Sequence, residues 1–442
     1  MSKSKGTQIY PEHLIEGTLE GLKKNKSYSN IKGIETFRFY SIGVTQPGRD
    51  FNFVVKEYAD TYKIINTIWN VFVYATEKFN LAGFDPSKVK LDEKSLSKLD
   101  KWILSRLHST IKKITELADN YKLPWITGEL RDLIVNDISR WYIMLNREKL
   151  DIYSEDPNKL LIMAVLYRVL YNVLLLLAPV NPMISEDIFL KMYKPHLRSI
   201  GLEDTKSIHL QDWPEYNEKK IDLKLEEQMH FTRELIEIVR AIKDENRIRL
   251  RWPNKRIIIE PNDDMPKIEF PEIIKKVGNV KELEIVKSVK PTDNLIKAES
   301  NFCNVYLDIS VDDEILSERL INDLMRNIQF SRKKNNFKVG EEITLTIGTK
   351  TEYLKKYLEK NKELISYKVS AKELEILLDD LTQKNGKVFA KLNICPNKEC
   401  SASLKDNIVS KLKKKVALKC PYCNSAIKED TINSITFNLK KI

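Results

Sequence analysis

The chain has 442 residues, 42% of them hydrophobic, and its 74 lysines and arginines outnumber 63 aspartates and glutamates to give a formal net charge of +11. That much apolar material excludes a disordered chain and suits about two to four domains with cores of their own. The positive balance favours a polyanionic partner without requiring one. No apolar signal segment follows the first lysines, which points to the cytoplasm, and four of the five cysteines lie in two close pairs near the C-terminus, which suits a metal site better than a disulfide framework.

Residues 1–16 hold few large apolar side chains, and GTLEGLKKNKSYSNIKG over 17–33 reads as a polar loop bounded by glycine. From Ile34 the pattern changes to helical spacing in IETFRFYSIG, followed by a turn at Pro47 and Gly48. From Glu57 to Met192 the sequence reads as successive amphipathic helices: EYADTYKIINTIWNVFVYATEKF, SKLDKWILSRLHSTIKKITELADNY, ELRDLIVNDISRWYIMLNREKL and the apolar run from Leu160 to Pro179. Long helices joined by short loops predict a bundle. Arg168 and Asn172 interrupt the apolar run, so a buried bundle helix is expected there and no membrane partner. Trp69 and Trp102, at apolar helical spacing, are expected in that core.

Beyond it, LKLEEQMHFTRELIEIVRAIKDENRI predicts a helix, Ile257 to Ile259 a strand, NVYLDISV another strand, ILSERLINDLMRNIQFSRKKNNF a helix and EEITLTIG a strand. This is an α+β module, with no self-similar repeat evident in the residues.

Cys395-Pro-Asn-Lys-Glu-Cys400 and Cys420-Pro-Tyr-Cys423 form two knuckles separated by a lysine-rich segment. Two thiolate pairs at such spacing converge on one tetrahedral ion, and zinc suits them, with iron the minor chemical alternative. Four sulfurs leave no open position for substrate, so the site reads as structural. Cys303 stands alone and is expected to be a small buried apolar residue. The lysines from Lys411 to Lys419 are either a solvated hairpin face or a phosphate contact.

Several segments, in order, resemble one family. MSKSKG resembles the end of the Lys-Met-Ser-Lys-Ser loop of class I aminoacyl-tRNA synthetases, and IETFRFYSIGVTQPGRDFNF resembles the segment after it in isoleucyl-tRNA synthetases. DKWILSRL, NDISRWYIMLNRE, LLAPVNPMISEDIF and SIHLQDWPE resemble landmarks of that enzyme's anticodon-binding bundle, and LMRNIQFSRKKNNFKVGEEITLTI the tail of its archaeal and eukaryotic type. The resemblance covers nearly the whole chain and only the C-terminal half of the enzyme.

The fold it implies is mainly α: an anticodon-binding helical bundle, a smaller α+β C-terminal module and a zinc-knuckle tail, without a Rossmann catalytic domain. The chain divides on this reading into a catalytic-loop remnant with a polar insertion (1–33), a stem-contact segment (34–56), the bundle (57–222), a junction helix with a strand-rich segment (223–300), the α+β module (301–386) and a four-cysteine zinc tail (387–442).

Residue by residue, the resemblance places Lys3 on the second lysine of the loop, which in the family stabilises the transition state on the ATP phosphates, with Ser2 and Ser4 on the loop serines and Gly6 beside them. Thr7 stands where asparagine usually follows that glycine. No His-x-Gly-His occurs among His13, His108, His196, His209 and His230, so ATP enters only if a separate catalytic chain completes the site.

An anticodon is single-stranded and is read by stacking bases on aromatics and guanidinium planes. Arg140, Trp141 and Tyr142, with Asn146 and Arg147 beyond, offer such a set; the alternative is that Trp141 packs in the core while the arginines face water. Arg49 suits the acceptor-stem side of tRNA or a local turn bridge, and Arg332, Lys333 and Lys334, with Arg326 behind them, suit RNA or a helix C-terminus. Three functions remain open on this reading. One is a tRNA-binding module, specific for tRNA-Ile and unable to activate isoleucine alone. The second is the C-terminal subunit of a split isoleucine-tRNA ligase, and the third a truncated gene model or protein-interaction paralogue.

Overall fold

A computed structural model describes residues 10–16, 30–89, 91–152, 154–193, 206–338, 341–381, 388–398, 400–404, 418–428 and 431–441. Two compact units divide it, 1–227 and 228–442.

The first unit is helical. After the short helix α1 (Pro11–Ile15) come α2 (Asn30–Val44), α3 (Val55–Leu81), α4 (Lys98–Asp119), α5 (Leu123–Arg131), α6 (Lys159–Leu177) and α7 (Pro182–Ile188). Ser97 and Asp100 form a reciprocal capping box that starts α4, satisfying two amides that the helix itself leaves free. Helix α6 is long and apolar enough to cross a membrane, yet 67% of its most apolar window is buried inside the protein. Val165, Leu166, Leu170, Val173, Leu174 and Leu177 are fully covered, as expected of a bundle core. Trp102 is buried with them, whereas Trp69 is only half-buried.

Sequence periodicity predicts one α-helix from Glu129 to Leu150. Instead, α5 passes into a π-helical stretch, Asp132–Ile143, closed by a turn of α-helix at Met144–Asn146. A π-helix bonds residue i to i+5 and turns fewer degrees per residue, so a 3.6-residue wheel assigns the wrong faces across it.

Buried polar pairs set the remaining geometry. The Glu35 carboxylate of α2 accepts from Asn181 Nδ2 at 2.5 Å and from the Met183 amide at 3.0 Å, which ties α2 to the start of α7. Burial pushes the Glu35 carboxyl above its usual range, against the pull of those bonds. Arg106 on α4 donates to Asp137 and Glu226, both at 2.9 Å, and Ser105 and Ser109 donate to the same Glu226 carboxylate.

The second unit contains most of helix α8 (Leu223–Glu245) and two sheets. Strands β1 (Asn254–Pro261), β2 (Val280–Ile285), β3 (Leu295–Glu299) and β4 (Cys303–Asp308) form the first, in the order β2-β1-β4-β3, with helix α9 (Pro271–Gly278) between β1 and β2. Helix α10 (Asp313–Lys334) leads to the second sheet. It contains β5 (Ile343–Gly348), β6 (Ala371–Leu377), β7 (Val388–Ile394), β8 (Ser403–Leu404) and β11 (Asn433–Lys441), in the order β6-β5-β11-β7-β8. Helices α11 (Glu352–Lys360) and α12 (Lys362–Val369) connect β5 to β6, and β9 (Leu418–Lys419) pairs with β10 (Ala426–Ile427). Ile343, Leu345 and Ile347 alternate inward from β5 onto Leu320, Leu324 and Ile328 of α10.

Two segment boundaries read from sequence cut through these sheets. Strand β4 pairs with β1 and β3 across the expected break at 300/301, and β11 sits between β5 and β7, so residues 387–442 are not a separate tail. Strand pairing is non-local, and no composition shift marks it.

The sheets also share a topology that no residue pattern discloses. In each, the first strand runs parallel to the second (β1 with β2, β5 with β6) and antiparallel to the last (β4, β11), which is antiparallel to the third (β3, β7). Each crossover ends on a left-handed residue, Asn279 at φ 52° and Ser370 at φ 54°. The carbonyls of these two residues accept from the first amide of the first strand, Asn254 at 3.1 Å and Ile343 at 3.0 Å.

Each preceding helix also buries a cation two residues before its end. Lys243 Nζ donates to the carbonyls of Trp252 (2.9 Å), Gly278 (2.8 Å) and Asn279 (3.2 Å). Arg332 donates to those of Val369, Glu341 (2.6 Å) and Lys338 (3.4 Å). The unit is thus built as two modules of one plan.

Candidate RNA-binding surface and metal centre

The residues singled out for RNA contact separate into buried and exposed groups. Tyr142 is fully buried, and its hydroxyl donates to Asp100 Oδ1 at 2.5 Å, bracing the carboxylate that caps α4. Burial and the Asp100 charge push the Tyr142 phenol well above its usual range. Trp141 and Asn146 are buried too, and Asn146 Nδ2 donates to the Tyr142 carbonyl at 3.1 Å. These three cannot stack or bond a base without opening the core, so their assignment as RNA contacts is corrected. For Trp141 this is the core packing that the sequence left open as the alternative, with Arg140 and Arg147 facing water.

Arg332 is corrected likewise, because its donors are held by carbonyls inside the second unit. Arg49, Arg140 and Arg147 in the first unit, and Lys333 and Lys334 in the second, are exposed. Arg49 follows Gly48, whose φ of 82° makes the Pro47-Gly48 turn, and Arg140 donates to Asn136 Oδ1 at 3.1 Å on its own helix. Ser2, Lys3, Ser4 and Gly6, with the polar insertion's 17–29 and the lysines from Lys411 to Lys415, lie outside the described residues.

Sequence reasoning missed two aromatics. Tyr121 is 78% exposed and Trp125 is 62% exposed, at the corner between α4 and α5. The signal available was Pro124, which marks a helix start and so a corner, but helical spacing assigned Tyr121 to the end of the preceding helix.

The four knuckle cysteines converge. The sulfurs of Cys395, Cys400, Cys420 and Cys423 all lie within 4.8 Å of one another, with Cys395 to Cys423 at 3.7 Å and Cys400 to Cys420 at 3.9 Å. A tetrahedron of sulfurs about 2.3 Å from a central ion has edges of about 3.8 Å, so the donor set fits one metal ion.

Each knuckle turns through a left-handed residue just after its second cysteine, Ser401 at φ 43° and Asn424 at φ 59°. The Cys395 amide donates to Ala402 at 2.9 Å, and the Cys420 amide to Ser425 at 2.8 Å. Four crowded thiols compete for their protons. Hydrogen bonds from Cys395 and Cys400 hold the Cys420 thiol well below its ordinary range, whereas bonds to Cys395 and Cys420, with burial, push Cys400 up. A divalent cation removes that competition by stabilising every thiolate. Among the described residues, only Leu404 and Ile427 join Cys395 and Cys420 as buried residues of the local cluster, a small core for two knuckles. Cys303, buried on β4, takes no part.

A charged network backs the knuckles. The buried Asp323 carboxylate on α10 accepts from Arg249, Arg251, Ser403 Oγ (2.6 Å) and Trp252 Nε1 (3.2 Å). Arg249 Nε also donates to the hydroxyl of Tyr422, inside the second knuckle, at 2.9 Å.

Residues 100–259 match the family model of the anticodon-binding domain of tRNA ligase. Over 437 residues the chain is 30% identical to the isoleucine–tRNA ligase of Pyrococcus horikoshii, covering 85% of this chain and 39% of that protein. It is 35% identical over 290 residues to that of Methanothermobacter marburgensis, covering 66% of this chain and 26% of the relative. An Agrobacterium radiobacter LeuRS in a ternary complex with tRNA and LeuAMS superposes with a TM-score of 0.35 at 16% identity, over 50% of this chain and 23% of that one. The chain therefore spans about two fifths of the length of the first of these relatives. It carries the anticodon-binding domain of a tRNA ligase and corresponds, over most of its length, to the C-terminal portion of archaeal isoleucine–tRNA ligases.

Proposed function

We propose that this chain binds tRNA, and tRNA-Ile in particular, through the bundle of its first unit. The observation that carries the reading is the match of the anticodon-binding domain to residues 100–259. The exposed cations Arg49, Arg140 and Arg147 of that unit follow phosphates, which makes binding weaken with salt. On this reading the four cysteines hold zinc in a structural role and the protein works in the cytoplasm, where thiols stay reduced. On its own the chain does not activate isoleucine.

Titration of a labelled tRNA-Ile transcript with the full chain tests this, with an anticodon-substituted transcript and an unrelated tRNA as competitors. Preference for tRNA-Ile that the anticodon change removes is expected; equal affinity for all three transcripts defeats the specific form. Metal analysis should find one zinc per chain.

The MSKSKG segment favours a second reading, in which the chain completes an isoleucine-tRNA ligase with a separate catalytic chain and Lys3 stabilises charge on ATP phosphates. Isoleucine-dependent pyrophosphate exchange on mixing the two, abolished by Lys3→Ala, distinguishes it from the plain binding module.

A further inference from the structure

Helix α4 ends in a Schellman turn. The Lys122 amide donates to the Leu117 carbonyl at 2.8 Å and the Tyr121 amide to Ala118 at 3.0 Å, which leaves Tyr121 as the left-handed residue at φ 54°. Glycine is the usual occupant of that position, because a Cβ there is strained. A tyrosine is tolerated at such a site when its ring is repaid by packing, but Tyr121 is 78% exposed, the highest value among the described large apolar residues that face water.

Four residues later, Trp125 sits in the first turn of α5. Ile126, Thr127 and Leu130 take the buried face of that helix and leave the indole 62% exposed. The other tryptophans are all more covered, Trp102, Trp141 and Trp252 being buried and Trp213 39% exposed. Between the two rings Lys122 is exposed, and Leu123 and Pro124 stiffen the corner. Both rings fall inside the segment that matches an anticodon-binding domain, in a chain of net charge +11.

We propose that Tyr121 and Trp125 form a stacking platform for unpaired nucleobases of the bound tRNA, with Lys122 on the adjoining phosphate. This rests on the tRNA-binding reading above and names where bases are held. Aromatic faces stack any base, so the platform contributes affinity and positioning, and sequence preference comes from elsewhere.

The test uses the full chain, a labelled tRNA-Ile transcript and the variants Tyr121→Gly, Trp125→Ala and Trp125→Phe. Tyr121→Gly should raise the melting temperature, by relieving the left-handed strain, and at the same time weaken tRNA binding about 5- to 100-fold. Trp125→Ala should weaken binding to a similar extent and Trp125→Phe should restore most of it. Neither loss should change the slope of affinity against salt, since no phosphate contact is removed. A Tyr121→Gly chain that melts lower, or variants that bind tRNA as tightly as the wild type, overturn the platform alone. Wild-type chain that binds no tRNA overturns the function proposed above, and the platform with it.

Discussion

The two modules of the second unit share strand order, strand directions, a left-handed residue ending each crossover and a buried cation on the preceding helix, yet they are held differently. The first closes β3 onto β4 through a short connection, whereas the second places both cysteine knuckles between β7 and β11. One plan therefore tolerates a large insertion where two antiparallel strands join, provided that the insertion has its own means of staying folded. The four converging cysteines are a donor set for one metal ion, and a bound ion supplies such a means at the cost of few apolar residues.

The largest expected difference between the modules is the response to metal removal. Chelation, or Cys420→Ser, should unfold the knuckles and expose β7, β8 and β11 to hydrogen exchange, while β1 to β4 keep their protection. Uniform loss of protection in both sheets would show that the modules fold as one cooperative body.

Asp323→Ala comes next, because it leaves Arg249 and Arg251 beside a vacated carboxylate. A loss of about 3–5 kcal/mol is expected in denaturant unfolding. Since Arg249 and Arg251 precede β1 while Ser403 and Tyr422 belong to the knuckle side, both modules should lose protection.

Lys243→Met and Arg332→Met compare the equivalent cations. Each leaves buried carbonyls unpaired and should cost about 2–4 kcal/mol. Only Lys243 should add a pH dependence near neutrality. Burial, and then the charge of Arg319, bring its folded pKa from 10.5 down to about 7. Between those values the unfolded chain binds more protons, so Lys243 makes stability rise with pH across that window and fall again as pH returns toward 7. Unfolding curves at several pH values should show this slope in the wild type and in Arg332→Met, but not in Lys243→Met.

The smallest effect separates the crossover ends. Ser370→Gly should stabilise by up to about 1 kcal/mol, and Asn279→Gly by less, since asparagine accepts the left-handed region better than serine does.

How far the residues alone disclose this molecule depends on how local the cause is. The bundle, the helix from Leu223 and the strands at Ile257 and Ile343 follow from periodicity, and the two cysteine pairs announce one ion, because ligand chemistry and spacing are themselves local. Core packing of Trp141 beside solvent-facing Arg140 and Arg147 was open in the sequence as one of two readings, and only the packed structure chose it and buried Tyr142 as well. Tyr121 was read as a helix residue, since only the backbone shows that the helix has turned left-handed beneath it. Arg332 looked like a basic helix end, and the carbonyls that hold it come from segments distant in the chain or not helical at all.

By itself the sequence determined the helical bundle, the metal donors, the net charge and the resemblance to a tRNA ligase. These rest on periodicity, spacing and residue identity, which survive without coordinates. Tertiary structure alone decided which aromatics face water, which cations are spent inside the protein, and that two sheets repeat one plan. Each of those depends on which distant segments pair, and pairing is settled by whole-domain burial that no window of sequence contains.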